Sequence, residues 1–481
     1  MRVILINPPQ PEEDLKSAFS KGTGFILPYN LLSLGTYLKQ HGVEVDIVDC
    51  VAEGISLERI AEIVRTKGYD LAGVTGFTFS IPRAYKVAEV IKRDSPKTTV
   101  VLGGIHATVA HRQTLEECRS CDFVIAGEGE KVLLMLVKAI KKNKGFDEIP
   151  NLAYRDKNSM VKISTASPLS PVDVKELPIP DYSLLQMQLY VPHSGNYKIL
   201  PTYSFYTSRG CPFSCSFCSA NIVMGKKVRY KDIDKTFEEL KVLVDDYGAK
   251  GLIIQDSTFT LNKKWVTEFC NRMIDEDLRL VWRANTRVDR IDQDLLRIMK
   301  KAGCHRVNVG FESGNQDTLD FLNKKTTIEQ NLKAAKMVTD EGLELGASFI
   351  IGVPNEGMDH VLNTIKFAKS IGSKFTQFYL PVPYPGTKLR ALCQDGLREG
   401  ASWHDYSSRD FTNAVYINKN FDPEVFKKLP AFAFQRYYCN FQSVKRIIFS
   451  IKSIDELKDG IGILKNIFKK WRNPVSIETS R

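Results

Sequence analysis

The first 145 residues alternate short apolar runs with segments whose apolar residues recur every three or four positions. The apolar runs have the length of buried strands and cover residues 2–6, 44–49, 70–75, 98–103 and 122–126. Helical spacing covers residues 31–41, 82–92 and 131–140. This alternation predicts an α/β domain over residues 1–145 with a doubly wound, Rossmann-like parallel sheet. Ligands of such sheets bind beyond the carboxyl ends of the strands.

A second alternating block covers residues 201–400. Its predicted strands are residues 203–208, 251–256, 280–286, 306–312, 347–353 and 376–382. Helical spacing recurs between them at residues 236–247, 265–275, 292–302, 328–341 and 361–370. Six β/α units without a seventh or eighth predict a partial, TIM-like barrel.

Two further segments lack this alternation. Residues 146–200 are rich in proline, which predicts a linker with a small hairpin. Residues 401–481 form a C-terminal extension, in which apolar residues recur every three or four positions between Ile447 and Trp471 with lysines between them. This pattern predicts one or two basic, amphipathic helices, which either pack on the protein's own surface or contact a membrane.

Composition narrows the class of protein. Of 481 residues, 43% are hydrophobic and 26% charged, as in ordinary globular proteins. The net charge of +11 is concentrated at the C-terminus, where the last 81 residues hold 14 Lys and Arg against 8 Asp and Glu. A basic end without a basic, aromatic body argues against nucleic acid as a partner. No apolar stretch reaches the length of a membrane span, so we expect a cytoplasmic protein, free or associated with a membrane through its C-terminal helix.

Three of the ten cysteines form one cluster. Cys211, Cys215 and Cys218 have the spacing C-x3-C-x2-C and directly follow a predicted strand. Structural zinc takes four protein ligands, and no nearby Cys or His supplies a fourth. Three thiolates suit a 4Fe-4S cluster with one iron open to a small molecule. Cys118 and Cys121 form a C-x-x-C pair, which we interpret as core thiols with a redox role as the alternative.

The cysteine motif, with Phe217 before its last cysteine, resembles that of the radical S-adenosylmethionine superfamily. The resemblance implies that Cys211, Cys215 and Cys218 hold a 4Fe-4S cluster and that the open iron binds S-adenosylmethionine, which is cleaved to a 5'-deoxyadenosyl radical. Further segments resemble the superfamily's cofactor-binding motifs. They imply S-adenosylmethionine contacts at Phe217, Arg287, Glu312, Ser313 and Gly352. For Arg287, a salt bridge or a cap at the end of a strand is an equal alternative.

The N-terminal segment resembles the cobalamin-binding domain that is fused to many of these enzymes. The resemblance implies cobalamin contacts after the third, fourth and fifth strands, at Thr75, Thr78, Ser80, Gly103, Gly104, His106, Gly127 and Glu128. The D-x-H-x-x-G segment that places a histidine below cobalt in other cobalamin modules is absent. His106 lies outside that context, and a hydrogen-bonded loop histidine is the alternative to a contact. A flavodoxin-like domain that binds nothing is the alternative for the whole segment.

Both resemblances together imply radical methylation of an unactivated carbon on a hydrophobic or secondary-metabolite substrate. The main alternative is cyclisation or rearrangement of a lipid or tetrapyrrole with the same cofactors. Methylthio transfer is disfavoured because the other cysteines are poorly spaced for a second cluster. A non-catalytic iron-sulfur or corrinoid-binding protein is the alternative from another class. We expect a small-molecule or lipid substrate and an electron donor such as flavodoxin or ferredoxin; no catalytic residue is assigned.

Overall fold

The computed structural model describes residues 1–10, 24–156, 158–193, 195–408 and 411–439. The chain forms two compact units. Unit 1 consists of Met1–His193, Ser208–Phe213 and Ser219–Gly248, and unit 2 consists of the rest of the described chain. The predicted amphipathic pattern between Ile447 and Trp471 lies outside the described residues. No helix in the described part is long and apolar enough to cross a membrane.

Unit 1 is built on a seven-stranded sheet with the order β2-β1-β3-β4-β5-β6-β7. Its strands are β1 (Arg2–Asn7), β2 (Glu44–Asp49), β3 (Leu71–Thr75), β4 (Thr99–Gly103), β5 (Phe123–Ile125), β6 (Leu152–Arg155) and β7 (Val161–Ile163). The first five pair in parallel, which confirms the predicted parallel sheet. β6 and β7 are the small hairpin predicted after residue 145, and they extend the sheet in antiparallel fashion.

The helices of unit 1 connect these strands. They are α1 (Tyr29–Gln40), α2 (Leu57–Lys67), α3 (Ile81–Asp94), α4 (Ile105–Val109), α5 (His111–Glu117) and α6 (Glu130–Lys141). Unit 1 also contains the two-stranded ribbon of β9 (Ser208–Arg209) and β10 (Arg229–Tyr230), with α7 (Ala220–Met224) between them and α8 (Ile233–Asp245) after them.

Unit 2 contains six parallel strands in the order β15-β14-β13-β12-β11-β8. They are β8 (Thr202–Phe205), β11 (Gly251–Ile254), β12 (Val281–Thr286), β13 (Cys304–Glu312), β14 (Glu344–Ile350) and β15 (Phe375–Tyr379). The helices are α9 (Lys263–Asp275), α10 (Gln293–Lys301), α11 (Gln316–Phe321), α12 (Ile328–Asp340), α13 (Met358–Ser370), α14 (Lys388–Leu392) and α15 (Pro423–Tyr438). These six strands are the predicted partial barrel.

The core of unit 2 lies between the strands and the surrounding helices. Phe311 of β13 and Phe349 of β14 stack with ring centres 6.0 Å apart, and both contact Phe367 of α13. Successive side chains of a strand point to opposite faces, so the neighbouring residues of β13 and β14 line the inner face. The inner face is polar in its middle, where Asn308 Nδ2 donates to Asn285 Oδ1 at 3.2 Å.

Helix α15 closes the exposed edge of the barrel at β15. The Tyr438 hydroxyl accepts a hydrogen bond from Thr376 N at 2.6 Å and donates to Thr376 O at 3.1 Å. The Tyr437 hydroxyl donates to Ser373 O at 2.6 Å. Tyr438 thus satisfies backbone groups that an edge strand otherwise leaves open for pairing, and Tyr437 bonds the residue two positions before the strand begins.

Candidate functional site

The start of the cysteine loop is fixed within unit 1 by its backbone. Gly210 has a φ of +107°, and a Cβ at this position would lie 2.4 Å from Lys227 O. Only glycine fits there without a shift of backbone. The next amide, Cys211 N, donates to Gly225 O at 3.1 Å. The first predicted ligand therefore follows a tightly constrained turn.

Cys215 and Cys218 belong to unit 2, where the backbone of their loop is held by the segment directly after α11 and by α14. Ser216 N donates to Leu322 O at 2.9 Å, and Leu389 N donates to Ser216 O at 2.8 Å. Asn323 Nδ2 donates to Ser214 O at 2.6 Å. The loop thus owes its shape to chain segments that are more than a hundred residues away in sequence.

Cys211, Cys215 and Cys218 form no disulfide, and all three are of intermediate exposure. Among the described residues, no group of three His, Cys, Asp or Glu side chains is arranged to hold a metal ion, so the cluster role of the three cysteines stays a prediction. The chemistry of the donor set fits that role, because cysteine thiolates are the usual ligands of iron-sulfur clusters and three of them leave one iron of a 4Fe-4S cluster open. By contrast, Cys118 and Cys121 are buried, and burial raises the pKa of both thiols, as expected of core residues.

Arg287, directly after β12, contacts the cysteine loop. Its Nη1 lies 3.3 Å from Cys215 Sγ, and its Nη2 donates to Lys324 O at 2.7 Å. Its Nε donates to Asp289 Oδ1 at 2.9 Å. Arg287 therefore makes the salt bridge that was the alternative to a cofactor contact, and it also places a buried positive charge against a predicted cluster ligand. Its predicted contact with S-adenosylmethionine stays a prediction.

Glu312 ends β13 in an unusual backbone conformation, with a φ of +67°. Its Oε1 accepts a hydrogen bond from Lys324 Nζ at 2.7 Å, and both side chains are buried. No described residue bonds Oε2 of Glu312. A buried carboxylate with one paired and one open oxygen fits the ribose hydroxyls or ammonium of S-adenosylmethionine. The positive φ at a non-glycine residue is typical of functional sites.

Ser313 and Gly352 meet at a residue that sequence reasoning missed, Glu356. Gly352 N and Val353 N donate to Glu356 Oε2 at 2.5 Å and 3.2 Å. Thr318 Oγ1 donates to Glu356 Oε1 at 3.0 Å, and Ser313 Oγ lies 3.5 Å from the same oxygen. Burial raises the pKa of the Glu356 carboxyl to about 7. Glu356 therefore connects the loops after β13 and β14.

Gly352 is held from its other side by α15. Its φ is +84°, and a Cβ would lie 2.7 Å from the Phe426 ring. Position 352 therefore requires glycine because of its left-handed backbone and the nearby Phe426 ring. Close approach of an adenine ring would be an additional reason. Phe217 packs against Leu322, Ile350 and Val353 beneath the same loop. Glu356 follows Gly352 by four residues, but its sequence position alone does not indicate that its carboxylate accepts from both loops.

The predicted cobalamin residues after β3 and β4 lie together. Gly76 N donates to Gly103 O at 3.1 Å, and a Cβ on Gly104 would lie 2.8 Å from Thr75 Oγ1. Asn30 Nδ2 of α1 donates to Thr75 Oγ1 at 3.0 Å. A Cβ on Gly103 would meet nothing within 4 Å. The open space beside this glycine fits a ligand that approaches the backbone at the end of the strand.

Other predicted cobalamin residues are buried or bonded within unit 1. Ser80 Oγ accepts from Phe77 N at 3.0 Å and so closes a turn, while Thr78 and His106 are buried. Burial lowers the pKa of the His106 imidazole to about 4, so this ring is neutral. The His106 side chain is fully buried, so a ligand cannot contact it in this conformation. Both the cobalamin contact of His106 and its alternative, a hydrogen-bonded loop histidine, stay predictions.

Gly127 and Glu128, after β5, have different surroundings. Gly127 has a φ of +81°, and its N–H donates to Thr108 Oγ1 at 2.9 Å. Glu128 Oε1 and Oε2 accept from the two terminal nitrogens of Arg229 at 2.8 Å and 2.7 Å. Its Oε2 also accepts from Val172 N at 2.7 Å. The carboxylate predicted to contact cobalamin is thus engaged by protein donors.

Comparison with known families assigns both parts of the chain. Residues 205–368 match the Radical SAM superfamily, and residues 17–137 match the B12 binding domain. An uncharacterized methyltransferase of Pyrococcus horikoshii is 34% identical over 91% of this chain and 92% of its own length. The anaerobic magnesium-protoporphyrin IX monomethyl ester cyclase of Rubrivivax gelatinosus is 32% identical over 81% of this chain and 69% of its own length.

Solved structures share the fold at lower identity. The radical S-adenosylmethionine methyltransferase TsrM from Kitasatospora setae, with cobalamin and a [4Fe-4S] cluster bound, has a TM-score of 0.68 at 18% identity. The superposed region includes 91% of this chain and 89% of the TsrM chain. The cobalamin-dependent S-adenosylmethionine radical enzyme OxsB has a TM-score of 0.73 at 17% identity, covering 98% of this chain and 72% of that chain.

Proposed function

Because the chain belongs to the cobalamin-dependent radical S-adenosylmethionine enzymes, we propose that it methylates an unactivated carbon of a hydrophobic or secondary-metabolite substrate. The observation that carries this proposal is the end-to-end match with the Pyrococcus methyltransferase, which is covered over 92% of its length. The cyclase of Rubrivivax is matched over only 69% of its length. More distant relatives include methyltransferases of cytidylyl-2-hydroxyethylphosphonate and of bacteriochlorophyllide d.

The described residues supply binding and orientation for this reaction. When bound, the cluster and S-adenosylmethionine supply a radical that abstracts hydrogen, and cobalamin supplies the methyl group. Cys211, Cys215 and Cys218 would hold the cluster. Glu312, with Lys324 on one oxygen, would accept from S-adenosylmethionine through its other oxygen, and Gly352 would lie beside the adenine. Such chemistry depends on placement more than on acid or base groups.

The cobalamin would lie over the carboxyl ends of β3 and β4. Gly103 would offer its backbone, and Thr75 its hydroxyl, to the nucleotide part of the cofactor. The hydroxyl of Thr75 already accepts from Asn30, so its proton is free to be donated to an acceptor on the ligand. The surroundings of Ser80, Thr78 and His106 give their side chains a smaller part in this contact.

The inner face of the barrel bears on the substrate class. Asn285, Asn308 and Gln377 lie on this face, opposite the buried apolar side chains that pack beneath the helices. Amide side chains donate and accept hydrogen bonds, so they suit a substrate that carries polar groups beside the carbon to be methylated. Of the two substrate classes expected, this favours a secondary metabolite with polar groups.

Cyclisation or rearrangement of a lipid or tetrapyrrole is the second candidate function. It is favoured by the 32% and 30% identity to two anaerobic cyclases. Both reactions need the same cofactors, so cofactor binding does not distinguish them. They differ in the fate of the methyl group. Cyclisation consumes no methyl group from S-adenosylmethionine, whereas methylation consumes one for each product.

One anaerobic assay separates these functions. The protein, reconstituted with iron, sulfide and cobalamin, is given S-adenosylmethionine and a strong reductant, and 5'-deoxyadenosine and S-adenosylhomocysteine are quantified by mass spectrometry. We expect both products. Deoxyadenosine alone would favour the cyclase, and neither product with an intact cluster would favour a cofactor-binding protein. The same assay with flavodoxin or ferredoxin in place of the chemical reductant tests the expected electron donor.

Membrane contact through the C-terminal segment is a separate part of the proposal. It rests on the basic, amphipathic pattern of residues 401–481. Flotation of the full chain with vesicles of anionic lipid tests it, with neutral vesicles as the control. Binding to anionic vesicles alone is the expected result, and absence from both vesicle fractions would contradict it.

A further inference from the structure

Two glutamates after β5 face two arginines within unit 1. Arg209 Nη2 donates to Glu130 Oε1 at 2.8 Å and to Ser33 Oγ at 2.9 Å, while Arg209 Nη1 lies 3.5 Å from Glu128 Oε1. Arg229 makes two parallel hydrogen bonds to Glu128, at 2.7 Å and 2.8 Å. The Ser33 hydroxyl also donates to Glu130 Oε1 at 2.7 Å. Together these residues form one network, which we call the arginine–glutamate network.

The network is buried and retains its charges. The side chain of Glu130 is 4% exposed, and those of Arg229 and Glu128 are 8% and 10% exposed. Burial alone would raise the pKa of the Glu130 carboxyl, but the adjacent Arg209 guanidinium outweighs this effect and holds the pKa below its usual value. Separating the partners of a buried ion pair is costly, because each would leave the other as an uncompensated buried charge. The network therefore holds its side chains in one arrangement.

The two arginines lie beside each other on the ribbon that begins the cysteine loop. Arg209 of β9 is the register partner of Arg229 of β10. Arg209 is followed at once by Gly210, whose turn is closed against Lys227 O, and then by Cys211, whose N–H bonds Gly225 O. The two glutamates therefore hold both strands of the ribbon, and the ribbon sets the position of the Cys211 backbone.

We propose that Glu128 and Glu130 are positioning residues for Cys211. The sequence predicts Glu128 as a cobalamin contact, but its carboxylate already accepts from Arg229 and from Val172 N. The reason why Cys211 needs a fixed position rests on the proposed function, in which Cys211 is a cluster ligand. The positioning itself is a property of the protein without cofactors, so it can be tested without them.

The test is amide hydrogen exchange of the full chain without cofactors, followed by peptide mass spectrometry. The variants are Glu130→Gln and Glu128→Gln, which keep shape and remove charge. We expect exchange of the segment 208–213 to accelerate about tenfold, which corresponds to about 1.4 kcal/mol of lost local stability. Exchange of β11 in unit 2 should not change. Glu116→Gln, an exposed glutamate of α5, is the matched control and should leave both segments unchanged.

A second readout follows anaerobic reconstitution. We expect both variants to hold less iron than the wild-type protein, or to give an altered electron paramagnetic resonance spectrum of the reduced cluster, while cobalamin content is unchanged. Unchanged exchange at 208–213 in both variants would overturn the proposal, and cobalamin loss with normal exchange and iron would identify Glu128 as a ligand instead. If a glutamate variant fails to fold, Arg209→Lys, which keeps the charge but not the forked geometry, replaces it and should show a smaller acceleration.

Failure of the proposed function would be seen differently. If neither 5'-deoxyadenosine nor S-adenosylhomocysteine forms, the exchange result still decides whether the two glutamates position Cys211. If the exchange result is negative while both products form, only the positioning role is lost.

Discussion

The contact between Arg287 and Cys215 is the residue-scale feature with the most direct electronic consequence. A guanidinium 3.3 Å from a cluster sulfur ligand would stabilise the more negative, reduced state of the cluster. We expect Arg287→Met to lower the reduction potential by roughly 60 mV, the change that corresponds to a tenfold shift for one electron. A redox titration followed by electron paramagnetic resonance measures it.

Arg287→Lys is the matched control for this prediction. Lysine keeps the positive charge but lacks the fork that also bonds Lys324 O and Asp289. Its potential should lie between those of wild-type protein and Arg287→Met. Equal potentials in all three proteins would show that the guanidinium does not act on the cluster.

Glu356 predicts a dependence of stability on pH. Burial raises its pKa from 4.5 to about 7 in the folded protein, so the folded state binds a proton that the unfolded state releases. The stabilising effect is complete below pH 4.5 and is lost as the pH rises through 7. We expect the free energy of unfolding of the wild-type protein to fall between pH 5 and pH 8 relative to that of Glu356→Gln, because the amide stays neutral throughout. Urea unfolding at several pH values measures this difference, and parallel curves for the two proteins would contradict it.

Residue roles were only partly predictable from the sequence. The three cysteines could be singled out because their spacing is itself the signal. For Glu128, whose cobalamin contact stays a prediction, a short motif does not reveal that Arg229, a hundred and one positions away, donates to both carboxylate oxygens. Glu356 was missed for a similar reason, since its importance depends on donors from two separate loops.

At the scale of elements, helix α15 and the loop after β14 depend on each other. Gly352 combines a φ of +84° with a Cβ position 2.7 Å from the Phe426 ring of α15. We expect Gly352→Ala to destabilise unit 2, because the left-handed conformation costs about 1–2 kcal/mol and crowding of Phe426 adds about 1–3 kcal/mol. Thermal unfolding measures this loss.

Gly357→Ala, in the same loop, is the control for Gly352→Ala. A Cβ at Gly357 would meet nothing within 4 Å, and its φ of −121° is open to any residue. This variant should unfold near the wild-type temperature. If both variants unfold at that temperature, the loop can move away from α15 at little cost.

Strands were more predictable than short helices. The parallel strands of both sheets overlap the predicted apolar runs, because such strands carry many buried apolar residues; β14 (Glu344–Ile350) begins three residues before its predicted run. Helix α2 was missed because it buries only Ile60, Ala61 and Val64, although Ser56 Oγ caps its start and Gly68 ends it. The short helices α4 and α5 were missed because five and seven residues carry too little periodicity.

At the scale of the whole molecule, the sequence predicted two α/β parts but not how the chain is shared between the compact units. Segments 208–213 and 219–248 belong to unit 1, although they follow the first strand of the barrel. Segment 208–213 is bonded to the rest of unit 1 by long-range charge pairs such as Arg209 with Glu130, which no local sequence pattern predicts. The order of elements along the sequence therefore predicts the two sheets better than it predicts which segments belong to each compact unit.

This division leads to a prediction about how the cofactors depend on each other. Cys215 lies in unit 2, whereas Thr75, Gly103 and Gly104 belong to the separate sheet of unit 1. We expect Cys215→Ala to lose the iron and sulfide of the reconstituted protein and to form no 5'-deoxyadenosine, while it binds cobalamin as the wild-type protein does.

Cys270→Ala, which removes a buried thiol of α9 outside the loop, is the control and should retain iron, cobalamin and product formation. Iron and sulfide analysis, cobalamin absorbance and mass spectrometry measure the three quantities. Wild-type iron and sulfide content in Cys215→Ala would reject the cysteine loop as the cluster site, because a cluster that survives the loss of a central ligand must be held elsewhere.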